Sequence, residues 1–310
     1  MTRSHSYSKL KKIPQIQIIA PASSTPVEKL EKSLLWLDKN DFTYHCPQDL
    51  QEPTAFFANS LSKQIKHFQA ALKSRSPFLW GLRGGYGSAR LIETLNEMPI
   101  PSHKPLFIGY SDLTALHLYI HKYWKLPTLH AKMISELGSS ENQEDLHLLK
   151  ELLQGKKTSF TYTQLRPLNQ AAKKVTSLDG KILGGNLKLL SHSIGTDYQI
   201  RTHKNFLFLE DVGERGYALH RMLLHLEQAS VINKNIKAVF LGHFTEGLEP
   251  DGSDKKMLAL SLYAESSKVP FFYGLPVGHS STQNYPLPLN TPSKLRKVSA
   301  SEYHLEVKAP

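Results

Sequence analysis

Pro105-Leu106-Phe107-Ile108-Gly109-Tyr110-Ser111-Asp112-Leu113-Thr114-Ala115-Leu116 runs from a short apolar stretch, through two polar residues, into a helical pattern. An apolar run of that length without alternation reads as a strand buried on both faces. With a helix starting near Asp112, the segment is one β-to-α unit of a parallel sheet. The same reading holds upstream. Pro77 to Leu82 predicts a strand leading into Arg83-Gly84-Gly85-Tyr86-Gly87 and a helix from about Ser88 to Met98, and Ile16 to Ala20 predicts the first buried strand. Between Asn59 and Ser74, Leu61, Ile65, Phe68 and Leu72 recur at helical spacing, which predicts a helix with one face on the sheet. The alternation of strands and helices makes the first half an α/β layer with helices on both faces.

A helix from Glu141 to Leu153 is predicted to stop at Gly155, and the polar stretch Lys156 to Lys174 has no clear period and reads as a linker. The expected organisation is therefore an N-terminal domain over residues 1–155, a linker over 156–174 and a C-terminal domain over 175–310. The second domain is read as a strand near Lys181 to Leu183, the turn Gly184-Gly185-Asn186 opening a short helix, and a strand Phe206 to Leu209. A helix Gly216 to Val231 follows, with Leu219, Leu223, Leu226 and Ser230 near one face. Strand Ile236 to Leu241, a helix near Lys255 to Ser266 and strand Phe271 to Pro276 complete it.

The chain of 310 residues is long enough to bury two cores and needs no disulfides. Its single cysteine, Cys46, has no partner within the chain, which fits a reducing compartment, and cytoplasm is the expectation. Met1 to Lys12 reads as a loose basic leader, followed by an apolar run far too short for a membrane span or a signal peptide. A net charge of +11 points toward an anionic partner. The lysines are scattered, without the basic stripe and interleaved aromatics of a nucleic-acid surface, so an acidic small substrate is expected rather than nucleic acid or membrane.

Ser111 falls where a buried strand turns into a helix, at the sheet edge where α/β folds bind ligands. That position suits a nucleophile and equally suits a helix cap. A nucleophilic serine needs a base and a group to orient it. His279 follows the strand ending at Pro276, and Glu210 closes the apolar run Phe206 to Leu209, although a surface pairing with Arg215 or Arg221 is an alternative for that carboxylate. Gly84 and Gly85 offer amides for an oxyanion hole, together with the amide of Asp112, or else form only a tight turn. His117 and His121 have the spacing of a zinc pair without the intervening glutamate, so neither a metal nor a cofactor is expected, and both read as partly exposed helix residues.

Taken together these segments resemble the LD-carboxypeptidases, the muramoyltetrapeptide carboxypeptidases of serine peptidase family S66. The matching pieces are Ala20-Pro21-Ala22-Ser23, Arg83-Gly84-Gly85-Tyr86-Gly87, Gly109-Tyr110-Ser111-Asp112, Gly184-Gly185-Asn186-Leu187, Leu207-Phe208-Leu209-Glu210-Asp211 and Gly274-Leu275-Pro276-Val277-Gly278-His279. The resemblance implies a flavodoxin-like or amidotransferase-like N-terminal domain and a smaller β-rich α+β C-terminal domain, with the active site between them, in a homodimer. Ser111 would be nucleophile, His279 base and Glu210 its orienter, with Arg83 a candidate clamp for a substrate carboxylate. The implied reaction releases terminal D-alanine from murein tetrapeptide, in recycling of cell-wall fragments. Two other readings are a self-immunity hydrolase similar to the microcin C resistance protein, which would need an aromatic platform from Trp80, Trp124 or Tyr285, and a non-catalytic binder of acidic peptides. The chain departs from the family's usual His-Gly-Pro at His130-Ala131-Lys132, where a turn is lost and a positive charge gained, and carries Asn290 where glycine is common.

Overall fold

Ile16–Ile19 (β1), Tyr44–His45 (β2), Phe78–Gly81 (β3), Leu106–Gly109 (β4) and Thr128–His130 (β5) lie side by side and parallel, in the order β5-β4-β3-β1-β2. These strands belong to a computed structural model that describes residues 15–139 and 142–310. The leader Met1 to Lys12 and the expected helix start at Glu141 lie outside the described residues. Ile16, Ile18, Leu79, Trp80, Phe107, Ile108 and Leu129 are almost wholly buried, as unalternating strands between two helical layers must be.

Helix Leu61–Lys73 covers one face and is capped by Ser60, whose Oγ accepts from Lys63 N at 3.4 Å. Phe68 and Leu72 face the sheet as the spacing predicts, but Leu61 and Ile65 are only half-buried and Gln64 takes the core position between them. Its amide explains the exchange: Nε2 donates to the carbonyls of Ala20 (2.9 Å) and Ala22 (3.2 Å), tying down the loop after β1.

Ser159–Pro167 (β6), Ser177–Asn186 (β7), Phe206–Val212 (β8), Ala238–Thr245 (β9) and Phe271–Tyr273 (β10) build the second half. Leu287–Leu289 (β11) leaves it to pair antiparallel with β5, so the first sheet has six strands among the described residues. Pro292–Lys297 (β12) and Tyr303–Lys308 (β13) then return to close a barrel in the order β10-β6-β13-β12-β7-β8-β9. One apolar cluster runs through both halves, from Ile18, Trp80 and Leu129 to Phe206, Phe240 and Tyr303.

The stretch 156–174, read as a linker, is instead a barrel stave and a turn of helix, Gln170–Lys173. Phe160, Tyr162 and Leu165 point inward, but Gln164 adopts a positive φ of 64° and the pairing with β13 shifts register beside it. That bulge breaks the two-residue period by which a strand is recognised. In helix Gly216–Gln228, Leu219, Leu223 and Leu226 are buried as expected, whereas Ser230 lies beyond the helix end, exposed, at φ 58°. No described helix is long and apolar enough to cross a membrane.

Candidate active site

Ser111 stands at the carboxyl end of β4, after an extended Tyr110, and opens a single 3-10 turn that continues into helix Thr114–Tyr119. Its φ is +62°, a conformation that costs a non-glycine residue on the order of 1–3 kcal/mol. The strain lifts its side chain out of the sheet toward the Gly84 loop. There the fit is close: a β-carbon on Gly84 would sit 2.9 Å from Ser111 Cβ and 3.0 Å from its Oγ, so only glycine lets that backbone reach the hydroxyl. Gly85 lines the same cleft.

Asp112 contributes its backbone to this turn, while its side chain is buried and committed elsewhere. Oδ2 accepts from Ser88 N at 2.8 Å and the Asp112 carbonyl accepts from Ser88 Oγ at 2.7 Å. Burial raises its pKa against those hydrogen bonds. Arg83 is exposed at the cleft mouth, where Nη1 donates to Ser24 O at 2.7 Å.

The opposite wall comes from the barrel. Glu210 follows the apolar run Phe206 to Leu209 of β8 and is fully buried itself, and His279 lies in the loop after β10. The His279 Nδ1–H donates to Glu210 Oε2 at 2.6 Å, and the backbone N of His279 donates to the same oxygen at 3.2 Å. Gly278, at φ +121°, permits the approach, because a β-carbon there would lie 2.8 Å from Glu210 Cβ and 2.9 Å from Oε2. Burial by itself would lower the His279 pKa, but the charge and hydrogen bond of Glu210, helped by Glu136 and Asp211, outweigh it and the net shift is upward. With Nδ1 bound to the carboxylate, Nε2 is left to accept a proton. The alternative partners considered for Glu210, Arg215 and Arg221, are not its neighbours: their guanidinium groups lie over the Tyr217 ring.

Ser111 and His279 line one cleft of about 440 Å³ together with Arg83, Gly84, Gly85, Lys29 and Glu136. It adjoins a second space of about 770 Å³ bordered by Lys132, Val212, Thr245, Glu246 and His279. Tyr110 joins the two walls. Its ring lies 4.7 Å from that of His279, centroid to centroid, and its hydroxyl donates to Glu136 Oε1 at 2.8 Å. No sequence pattern marks Tyr110 or Glu136 for a role; Tyr110 stands out only as the neighbour of Ser111.

Asp211, beside Glu210, turns the other way. It accepts from Asn186 Nδ2 (2.9 Å) and Lys188 N (3.0 Å), and burial plus the Glu210 charge push its pKa up to about 6. Asn186 N in turn donates to Thr114 Oγ1 at 3.2 Å, which ties the barrel to the helix that Ser111 begins. His117 is wholly buried rather than partly exposed: Nδ1 meets Thr128 Oγ1 at 2.7 Å and Nε2 meets Gly109 O at 2.9 Å, bracing β4 against β5. Burial lowers its pKa to about 4. His121 is half-buried, with Nε2 2.8 Å from the same hydroxyl. No group of three or more His, Cys, Asp or Glu suited to a metal occurs among the described residues.

A strained serine on one wall and a carboxylate-held imidazole on the other are groups that serine-type hydrolases use, set here between an α/β layer and a barrel. Comparison with known proteins makes the class specific. The chain belongs to the LD-carboxypeptidase family, peptidase family S66, whose N-terminal domain model matches residues 16–131 and whose C-terminal domain model matches residues 179–295.

A relative from Rickettsia conorii is 40% identical over 252 residues, covering 81% of this chain and 77% of its own. The murein tetrapeptide carboxypeptidase of Pseudomonas aeruginosa is 29% identical over 280 residues, 86% of this chain and 88% of its own. The crystal structure of a muramoyltetrapeptide carboxypeptidase from Oxalobacter formigenes superposes with a TM-score of 0.81 at 25% identity, covering 94% of this chain and 98% of that one. Structures of the microcin C7 self immunity protein share the fold alone, at 17% identity and a TM-score of 0.80.

Proposed function

We propose that this enzyme hydrolyses the bond between an L-configured centre and terminal D-alanine in murein tetrapeptide, with Ser111 as nucleophile, His279 as base and Glu210 as its orienter. The observation that carries the assignment is the 2.6 Å Glu210–His279 hydrogen bond in the wall of the cleft that Ser111 lines. Neutral His279 takes the Ser111 hydroxyl proton on Nε2 as Oγ attacks the carbonyl carbon, and Glu210 stabilises the imidazolium. The amides of Asp112 and of Gly84 or Gly85 receive the oxyanion. The imidazolium then gives its proton to the nitrogen of D-alanine as the C–N bond breaks. A water, activated by the same imidazole, releases the acyl group and restores the serine.

Arg83 and Lys29 at the cleft supply positive charge for a substrate with several carboxylates. Trp80 and Trp124 are 0% and 5% exposed, and Tyr285 donates its hydroxyl to Glu144 Oε2. Neither tryptophan is exposed enough to stack on an adenine, and the Tyr285 hydroxyl is already engaged, which weakens the self-immunity reading. The strained serine and paired histidine count against a non-catalytic binder.

We place the reaction in the cytoplasm, with the lone Cys46 thiol in support. A homodimer is the proposed assembly, and exposed Leu258 and Leu262, one turn apart on helix Lys256–Ser266, offer apolar surface for it. Incubation with murein tetrapeptide tests the function: D-alanine is released by the native protein and falls by at least about 10⁴-fold in Ser111→Ala. No release from tetrapeptides of either diaminopimelate or lysine refutes the substrate, and undiminished release in Ser111→Ala refutes the nucleophile.

A further inference from the structure

The loop that carries His279 belongs to the barrel side, yet it is held from the other half of the molecule by the first turn of helix Gln143–Leu153. Three contacts make the grip. Asn142 Nδ2 donates to Thr282 O, Asp145 Oδ2 accepts from Asn284 N at 2.9 Å, and Glu144 Oε2 accepts from Tyr285 OH at 2.5 Å. The middle contact is the only one of the three buried from solvent, and it leads to the base. Asn284, 1% exposed, accepts on Oδ1 from Gly278 N at 3.0 Å. Gly278 is the residue whose positive φ lets the Glu210 carboxylate meet both the backbone N and Nδ1 of His279.

Asp145 is 1% exposed, and a lone carboxylate so buried would be costly as an anion. Its counter-charge is Lys132, itself 6% exposed, whose Nζ lies 3.4 Å from the same Oδ2. The lysine is fixed in turn, since its carbonyl accepts from Trp80 Nε1 at 2.9 Å in the floor of the first sheet. Burial raises the Asp145 pKa, and the Lys132 charge and the Asn284 hydrogen bond oppose that shift. So the charge gained in the His130-Ala131-Lys132 segment, although it borders the larger of the two adjoining spaces, is paired with Asp145.

We infer that the buried Lys132–Asp145 pair is a positioning device for the catalytic base: it holds Asp145 as the acceptor for Asn284, which fixes Gly278 and thereby the orientation of His279 against Glu210. Lys132, Asp145 and Asn284 touch no reacting atom. They act through the backbone beside the base, so loss of the acceptor for Asn284, or of Asn284 itself, lowers kcat and leaves substrate affinity in place. The inference rests on His279 being the base.

The test separates charge from acceptor. Lys132→Met with Asp145→Asn removes both charges and keeps an oxygen for Asn284 N, and this double variant retains kcat within about threefold of native. Lys132→Met with Asp145→Leu removes the acceptor as well, and lowers kcat about tenfold to hundredfold with KM within about twofold, the scale of a misplaced catalytic group. Asn284→Ala repeats that loss without touching the ion pair, and serves if the leucine variant does not fold.

Native kcat in Asn284→Ala, or in a folded Lys132→Met/Asp145→Leu protein, overturns the inference. So does an equal loss in the asparagine and leucine doubles, which would make the pair a structural brace only. His279→Ala runs alongside: if it leaves D-alanine release intact, the assignment of the base has failed, and not merely its positioning.

Discussion

The two walls of the cleft are made by different physics. On the α/β side, Ser111 is presented by backbone strain and by a glycine backbone pressed against it, all within a strand, a turn and a neighbouring loop. On the barrel side, His279 is presented by charge and hydrogen bonding, through a buried carboxylate 69 residues away and an anchor reaching back to the first half. The first wall is rigid because its sterics leave no alternative. The second is tuned because its protonation and orientation both depend on partners that can be removed one at a time. Damage to the nucleophile wall should therefore change rate alone, and damage to the base wall should change rate and pH dependence together.

Glu210→Gln is the larger perturbation. It removes the charge that outweighs burial, so the His279 pKa falls and the acidic limb of the kcat/KM profile moves to lower pH, while kcat drops by about 10²–10⁴ as the imidazolium loses its counter-charge. An acidic limb that stays in place would break the link between Glu210 and His279. Gly84→Ala puts a methyl group 3.0 Å from the Ser111 hydroxyl, and costs about 10–10²-fold in kcat with the acidic limb unmoved. A shifted limb in that variant would blur the difference between the walls.

The smallest effect is on stability. The folded pKa of His279 lies above its ordinary value of 6.5, so the native state holds the proton more tightly than the unfolded chain. That contribution is fully present below about pH 6.5 and is lost as pH rises through the folded pKa. Urea melts of the native protein and Glu210→Gln should differ by a margin that shrinks over that interval, and a constant margin would contradict the sign.

The contrast also explains what the sequence disclosed. Strands β1, β3 and β4 and the Ser111 turn were legible because strong local patterns produce them, although the choice between nucleophile and cap for Ser111 turns on distant partners that no local pattern shows. Gln64 and His117 occupy core positions that periodicity gives to apolar residues, because their polar atoms satisfy loop and strand-end carbonyls that a pattern cannot see. The stave over 159–167 was hidden by a bulge. Lys132 could be noticed as a departure, but its partner Asp145 becomes apparent only when the helix start and the His279 loop meet in space.

The walls serve one reaction only if Ser111 and His279 act as a unit. D-alanine release from murein tetrapeptide should be measured for Ser111→Ala, His279→Ala and the double variant under one set of conditions. Residues of one catalytic machine are non-additive, so the double variant should be no slower than the slower single variant. If the two losses multiply, serine and histidine work independently and the cleft is not the site described.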